Sequence, residues 1–327
     1  MNNRYKITQD GDWPAIHHVL IQFINNCYNL SSNFNQHKLY PYFELKGKNI
    51  GFNKQLSNLD NIWDYYFDQQ PPQNGNFNAI HKGGGHCLLS NINPNLIKEY
   101  SKIDKKYFKY KKDITKIVNN FKKTHLSKKS IGVHFRASDT LFDNSRPNVP
   151  LKIYKESILK VLDKYDTIFL STDSQESLDY FNFHFKDKLV YKDHYRVPYT
   201  KTFYSIHKNP PHPYQQGLEV IIDSLLLSEC DLIIKPESNL SAYSVIRKGG
   251  GDVHQIDIPL VDPNYHVMYF NNDLNILKKH YYIKDLEPSN INDFIIESKK
   301  FEIQKQNFLK NNDIESYFSL LKKYLFN

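Results

Sequence analysis

Apolar residues in the second half of the chain fall into two alternating patterns. Short continuous runs at residues 131–135 (IGVHF), 167–171 (TIFLS), 188–191, 231–234 (DLII) and 252–256 read as buried strands. Between them, apolar residues recur three and four apart, the spacing of one helix face. Such helices are expected over 150–165, through Leu151, Tyr154, Ile158, Val161 and Leu162, then up to about Phe183, over 218–229 and over 239–247. The punctuation agrees. Asp173 and Ser174, with Glu176 in the first turn, sit where an N-cap belongs. Gly249, Gly250 and Gly251 close the helix at 239–247, because glycine accepts the left-handed backbone of a helix stop. This alternation predicts a parallel sheet with helices on both faces, whose ligands bind beyond the carboxyl ends of the strands.

The first half is less regular. Residues 13–28 read as a helix through Ile16, Val19, Leu20, Phe23 and Ile24, and residues 61–67 (NIWDYYF) crowd four aromatics into a short segment. Gly83, Gly84 and Gly85 form a loop between Lys82 and His86, and residues 107–121 read as a Lys-rich helix leading into the strand at Ile131. A boundary near residue 125 gives an N-terminal domain (1–125), a Rossmann-like domain (126–288) and lysine-rich helices (289–327) that pack back on the body. The 327 residues suit two domains of ordinary size.

Composition excludes several classes. An apolar fraction of 40% fits neither a membrane protein nor a disordered chain, and no apolar run approaches a spanning helix. Asp10 and Asp12 interrupt any signal-peptide core, so a cytoplasmic location is expected. The 43 basic and 35 acidic residues leave a charge of +8. The richness in Asn, Lys, Tyr and Phe matches AT-rich coding, and no compact Lys/Arg stripe with interleaved aromatics indicates nucleic acid. Cys27, Cys87 and Cys230 contain no CxxC pair, which argues against a disulfide framework or a zinc ribbon.

The candidate chemistry centres on residues 132–140 (GVHFRASDT). His134 and Arg136, two positions apart at a strand end, share one side of the sheet and meet at its ligand edge. An Arg fork suits phosphate oxygens, and His bonds a ring or a phosphate. The alternative for Arg136 is a structural salt bridge with Asp139. Asp223 lies among Ile221, Ile222, Leu225 and Leu226, and a buried acid needs a partner; the alternative is a surface carboxylate. Thr172 and Asp173 fit a helix cap as well as a ligand contact. Lys82 and the three glycines fit a phosphate wrap or a plain loop. His81, His86 and Cys87 lack zinc-site spacing.

Residues 134–139 (HFRASD) resemble the HxRxxD motif of the GDP-fucose-dependent fucosyltransferases. The resemblance is strongest to the α-1,6 enzymes, including the rhizobial nodulation enzymes, with the α-1,2 and protein-O-fucosyl enzymes as relatives. Residues 168–178 (IFLSTDSQESL) and 217–243 are similar to the family's second and third motifs, in the same order. Residues 61–67 resemble an N-terminal segment of bacterial relatives.

The resemblance implies an α/β fold of GT-B type, two Rossmann-like domains facing a cleft. It also implies inverting transfer of fucose from GDP-β-L-fucose to a glycan hydroxyl, giving an α-fucoside, with no cofactor beyond the donor. Arg136 would bind the β-phosphate and stabilise departing GDP, while His134 and Asp223 hold guanine. Asp173 would support them in the same cleft, and Ser238 and Asn239, opening a helix, would offer donors to phosphate. No metal is implied, since the motifs hold no DxD triplet: Ser174 and Gln175 follow Asp173. Ala137 replaces the second Arg of the α-1,6 pattern, so that linkage is not implied. Asn144 replaces a later acid, which leaves Asp139 and Asp143 as imperfect candidates for the base. The remaining alternatives are a nucleotide-binding protein without transfer, a phosphoester hydrolase using His134 and Asp139, and, more distantly, a nucleic-acid binder. Membrane-surface association is compatible with the sequence, and the oligomeric state is not encoded legibly.

Overall fold

The computed structural model describes residues 4–10, 16–30, 40–46, 61–69, 79–82, 92–126, 129–136, 147–197, 213–261 and 274–326. Its strands are β1 (Arg4–Asp10), β2 (Tyr40–Lys46), β3 (Ala79–Lys82), β4 (Ser130–Phe135), β5 (Thr167–Thr172), β6 (Leu189–Val190), β7 (Leu232–Lys235) and β8 (Asp252–Gln255). Its helices are α1 (Ile16–Asn29), α2 (Trp63–Tyr66), α3 (Ile97–Tyr107), α4 (Lys112–His125), α5 (Leu151–Leu159) and α6 (Gln175–Phe185). They continue with α7 (Pro213–Ser228), α8 (Asn239–Lys248), α9 (Leu274–Tyr281), α10 (Ile291–Lys310) and α11 (Ile314–Phe326).

The strands form two parallel sheets, ordered β2-β1-β3 and β6-β5-β4-β7-β8. In the larger sheet β4 and β5 are buried along their whole length, which explains their unbroken apolar runs. Helix α7 crosses β4 closely: a Cβ at Gly132 would lie 3.0 Å from a Leu227 methyl and 3.1 Å from Cys230. The chain leaves β4 toward β5 on one side and returns at β7 on the other. The order therefore reverses between β4 and β7, and the crevice at their carboxyl ends is the ligand position of such a sheet.

The smaller sheet follows the same logic, with β1 central and α1 packing back. Phe43, Trp63 and Phe67 stack beneath it, Trp63 to Phe67 at 4.0 Å and to Phe43 at 4.6 Å between ring centroids. This core runs on without a break into Ile221, Leu225, Val245 and Ile246 of α7 and α8, so the two sheets share buried surface. A polar strut joins them as well. Buried Asp104 on α3 accepts hydrogen bonds from Tyr243 and Arg247 of α8, and the Tyr243 hydroxyl meets that of Tyr110. On the other face, Phe294, Phe301, Tyr317, Leu321 and Leu325 of α10 and α11 pack with Tyr154 and Phe181. The C-terminal helices thus fold back on the body.

The α/β architecture of two units facing one cleft is present, and the predicted strands lie within a residue or two of their expected bounds. Three helix predictions need correction. Residues 107–121 are not one helix: α3 ends at Tyr107 and α4 starts at Lys112, because the Lys111 amide donates to the Tyr66 carbonyl and the Asp68 amide to the Lys109 carbonyl, pulling the chain straight at Phe108. The helix over 150–165 stops at Leu159, and Val161 (φ −129°) leads into a tight turn at Leu162–Lys164. Helix α7 is already formed at Pro213, five residues before the expected start at 218. Cys27 and Cys230 are buried free thiols; Cys87 lies outside the described residues.

Candidate functional site

At the carboxyl ends of β4 and β5 opens a cleft with a cavity volume of about 90 Å³, bounded by α1 of the smaller unit and by α7 and α8 of the larger. His134, Arg136, Asp173, Asp223 and Asn239 all line it. Strand β4 delivers the first two. His134 pairs with Ser171 of β5 and is 4% exposed, while Arg136 is the first residue past the strand.

Asp223 is fixed from two sides. Its Oδ2 accepts the Ser171 hydroxyl at 2.8 Å, and its Oδ1 lies 3.0 Å from His194 Nδ1, a close contact without hydrogen-bond alignment. The segment carrying His194 is itself fastened: the Tyr195 amide donates to Glu219 Oε2 (3.1 Å), and the Val197 amide to the Asp173 carbonyl (3.0 Å). The N-cap of α6 is Ser174, whose hydroxyl accepts from the Ser177 amide at 3.2 Å. The Asp173 carboxylate is not needed for the cap, and it lies in the cleft wall.

Helix α8 begins unusually. Ser238 has the extended backbone of an N-cap, yet its side chain makes no capping bond. Its Oγ is buried without a hydrogen-bond partner, as is Asn239 Oδ1 beside it. His17 Nε2 and Gln216 Oε1, both of cleft-lining residues, are in the same condition. Buried polar atoms are rarely left unpaired. Several around one cleft describe a surface that completes its hydrogen bonds with a ligand. The N-terminus of α8, which no side chain caps, suits an anion through the first-turn amides that have no partner within the helix and through its positive dipole end.

His17 is 3% exposed, and its pKa falls to about 3, first through burial and then through the nearby Arg136, with Asp223 opposing. It is therefore neutral at pH 7. Among the described residues, no three His, Cys, Asp or Glu side chains are grouped to hold a metal ion. No described helix is long and apolar enough to cross a membrane.

The structure thus brings together five of the sequence-predicted residues, with Ser238 adjoining. Asp139, Asp143, Gly83, Gly84, Gly85, His86 and Cys87 lie outside the described residues. Sequence reasoning missed His17, His194, Gln216 and Glu219. The signal for His17 was available only to a reader who had recognised β1, since His17 opens the helix that follows that strand. His194 carries no local signal, because only the fold brings it to Asp223.

No family model and no curated protein matches the chain. Among solved structures, it is similar to NodZ α-1,6-fucosyltransferase co-crystallized with GDP, at 13% identity over 75% of this chain and 92% of that one, with a TM-score of 0.44. Fucosyltransferase NodZ from Bradyrhizobium gives 14% identity over the same shares and a TM-score of 0.44. POFUT1 in complex with GDP-fucose gives 12% identity over 76% of this chain and 72% of that one, with a TM-score of 0.36. Likenesses this distant assign no residue a role.

Proposed function

We propose that the chain is an inverting, metal-independent glycosyltransferase that moves fucose from GDP-β-L-fucose to a glycan hydroxyl and forms an α-fucoside. One observation carries the reading. Arg136 and the uncapped N-terminus of α8, with Asn239 Oδ1 and the adjoining Ser238 Oγ unpartnered, meet at the switch point of the five-stranded sheet. That combination suits a diphosphate: a planar cationic fork on one side, helix amides and small polar side chains on the other.

Asp223 supplies the base-reading half of the proposal. Guanine presents N1–H and N2–H donors side by side, and a carboxylate accepts both. A carboxylate has about four lone-pair positions, so guanine adds to the Ser171 and His194 contacts without displacing them. His134 flanks the same ring, and Asp173 supports the arrangement from the end of β5.

In the reaction, charge builds on the departing GDP as the sugar becomes oxocarbenium-like. Arg136 stabilises that charge in place of a metal ion. Residues 126–288 take the donor, residues 1–125 face the acceptor, and residues 289–327 support the donor unit. Asp139 and Asp143 are the base candidates that the family resemblance offers, and the cytoplasm is the expected location.

The test is incubation with GDP-fucose and a glycan array in the presence of EDTA. The expected result is GDP release, with one glycan class gaining a fucosyl mass. Transfer that is lost with EDTA and restored by Mn²⁺ or Mg²⁺ contradicts metal independence. Absence of GDP binding contradicts the function.

A further inference from the structure

Resting on the donor reading above, we propose that His17 is the general base, its Nε2 taking the proton of the attacking hydroxyl. His17 belongs to the smaller unit and lines the cleft.

Three observations support the assignment. First, Nε2 of this cleft-lining residue is buried without a partner, so with the ring proton on Nδ1 its lone pair is unused. Second, the ring is held in place. It packs at 5.5 Å from the ring of Tyr243, which is itself anchored by Asp104 and Tyr110. Third, Arg136 is the charged neighbour that most disfavours protonated His17. The histidine thus shares the cleft with the side chain proposed to hold the diphosphate.

That neighbourhood also gates the base. In the empty cleft, burial and Arg136 keep His17 weakly basic, opposed only by Asp223. His134, His194, Asp173, Tyr195 and Glu219 are the other titratable groups of the cleft wall. A bound diphosphate cancels the field of Arg136 and adds negative charge, which strengthens the base once the donor is in place.

The step balances simply. The hydroxyl O–H breaks and its proton goes to Nε2. The oxygen's electron pair forms the bond to the anomeric carbon, and the bond from that carbon to the β-phosphate oxygen breaks, its pair leaving with GDP.

The experiment compares parent, His17→Gln, Asp139→Asn and Asp143→Asn, each first checked for an unchanged melting temperature. GDP release from GDP-fucose is followed across pH with water and with the array's best glycan as acceptor, and GDP affinity is measured in parallel. Loss of a general base costs roughly 10²- to 10⁴-fold. The expected result is a loss of that size for His17→Gln, disappearance of the acid limb of its pH profile, and GDP affinity within about threefold of the parent. Turnover of His17→Gln near the parent's overturns the proposal. So does a parallel loss of GDP affinity, which would make His17 a nucleotide contact, or a parent that binds GDP but never releases it from GDP-fucose. A parent that does not bind GDP overturns the donor reading as well, so the two failures are distinguishable.

Discussion

Asp223 and His194 are held 3.0 Å apart, carboxylate to imidazole, by a fold that brings α7 and the segment after β6 to the same strand end. The other oxygen of Asp223 accepts the Ser171 hydroxyl, so the carboxylate is oriented before any ligand arrives. Asp223→Asn replaces one acceptor by a donor facing the guanine N–H groups. It should weaken GDP binding by tenfold or more, since an unpaired buried group costs about 1–3 kcal/mol. His194→Gln should weaken it less. Calorimetric titration of both variants with GDP checks the ranking, and equal GDP affinity in parent and Asp223→Asn removes Asp223 from the site.

Arg136→Lys keeps the charge and loses the planar fork. It should leave a folded protein whose turnover of GDP-fucose falls on the order of 10²- to 10³-fold, the scale of losing one preorganised donor. Arg136→Ala should fall further. A structural salt bridge with Asp139 predicts the opposite pattern, with Arg136→Lys almost silent and both Arg136→Ala and Asp139→Asn unstable. Melting temperature and turnover of the three variants separate the two.

The second-half strands were legible because β4 and β5 are buried on both faces, which writes an unbroken apolar run into the sequence. The strands of the smaller sheet were not. β1 reads RYKITQD, with Ile7 its core residue, and β2 begins Tyr40, Pro41, so neither run looks apolar enough to stand out. The break between α3 and α4 was illegible for another reason. It is made by backbone bonds to residues 66–68, some forty positions earlier, and leaves no local mark. The site divides the same way. His134, Arg136 and Asp223 sit in recognisable motifs, whereas His17 and His194 acquire their place only when separate segments converge.

Asp257 predicts a pH effect on stability. It is fully buried near Glu237 and accepts the Glu237 amide through Oδ2 at 2.8 Å, while Oδ1 has no partner. Burial, and then Glu237, raise its pKa to about 6, against the opposing pull of Lys235. A folded-state pKa above the unfolded value means that this group's contribution is complete below about pH 4 and is lost as pH rises through 6. Asp257→Asn keeps an acceptor for the amide and removes the buried charge. It should raise the melting temperature at pH 8, by an amount on the order of 1–3 kcal/mol in stability, with the gain vanishing near pH 4. A gain independent of pH argues against the titration.

The strut between the two units predicts a larger loss. Asp104 is fully buried and accepts from both Tyr243 and Arg247, so Asp104→Ala strands two hydrogen-bonding groups of α8. Breaking such a pair costs roughly 3–5 kcal/mol. Denaturant unfolding should show a lower midpoint for Asp104→Ala, and an unchanged midpoint contradicts a supporting role for the network.

The most direct test of the central claim is nucleotide selectivity. GDP, GDP-fucose, UDP and ADP are each added with EDTA present, and the shift in melting temperature is followed against ligand concentration. The account predicts stabilisation by GDP and GDP-fucose, about 2.7 kcal/mol when the ligand is at 100 times its dissociation constant, and none of that size from UDP or ADP. Equal stabilisation by UDP, or none by GDP, contradicts it.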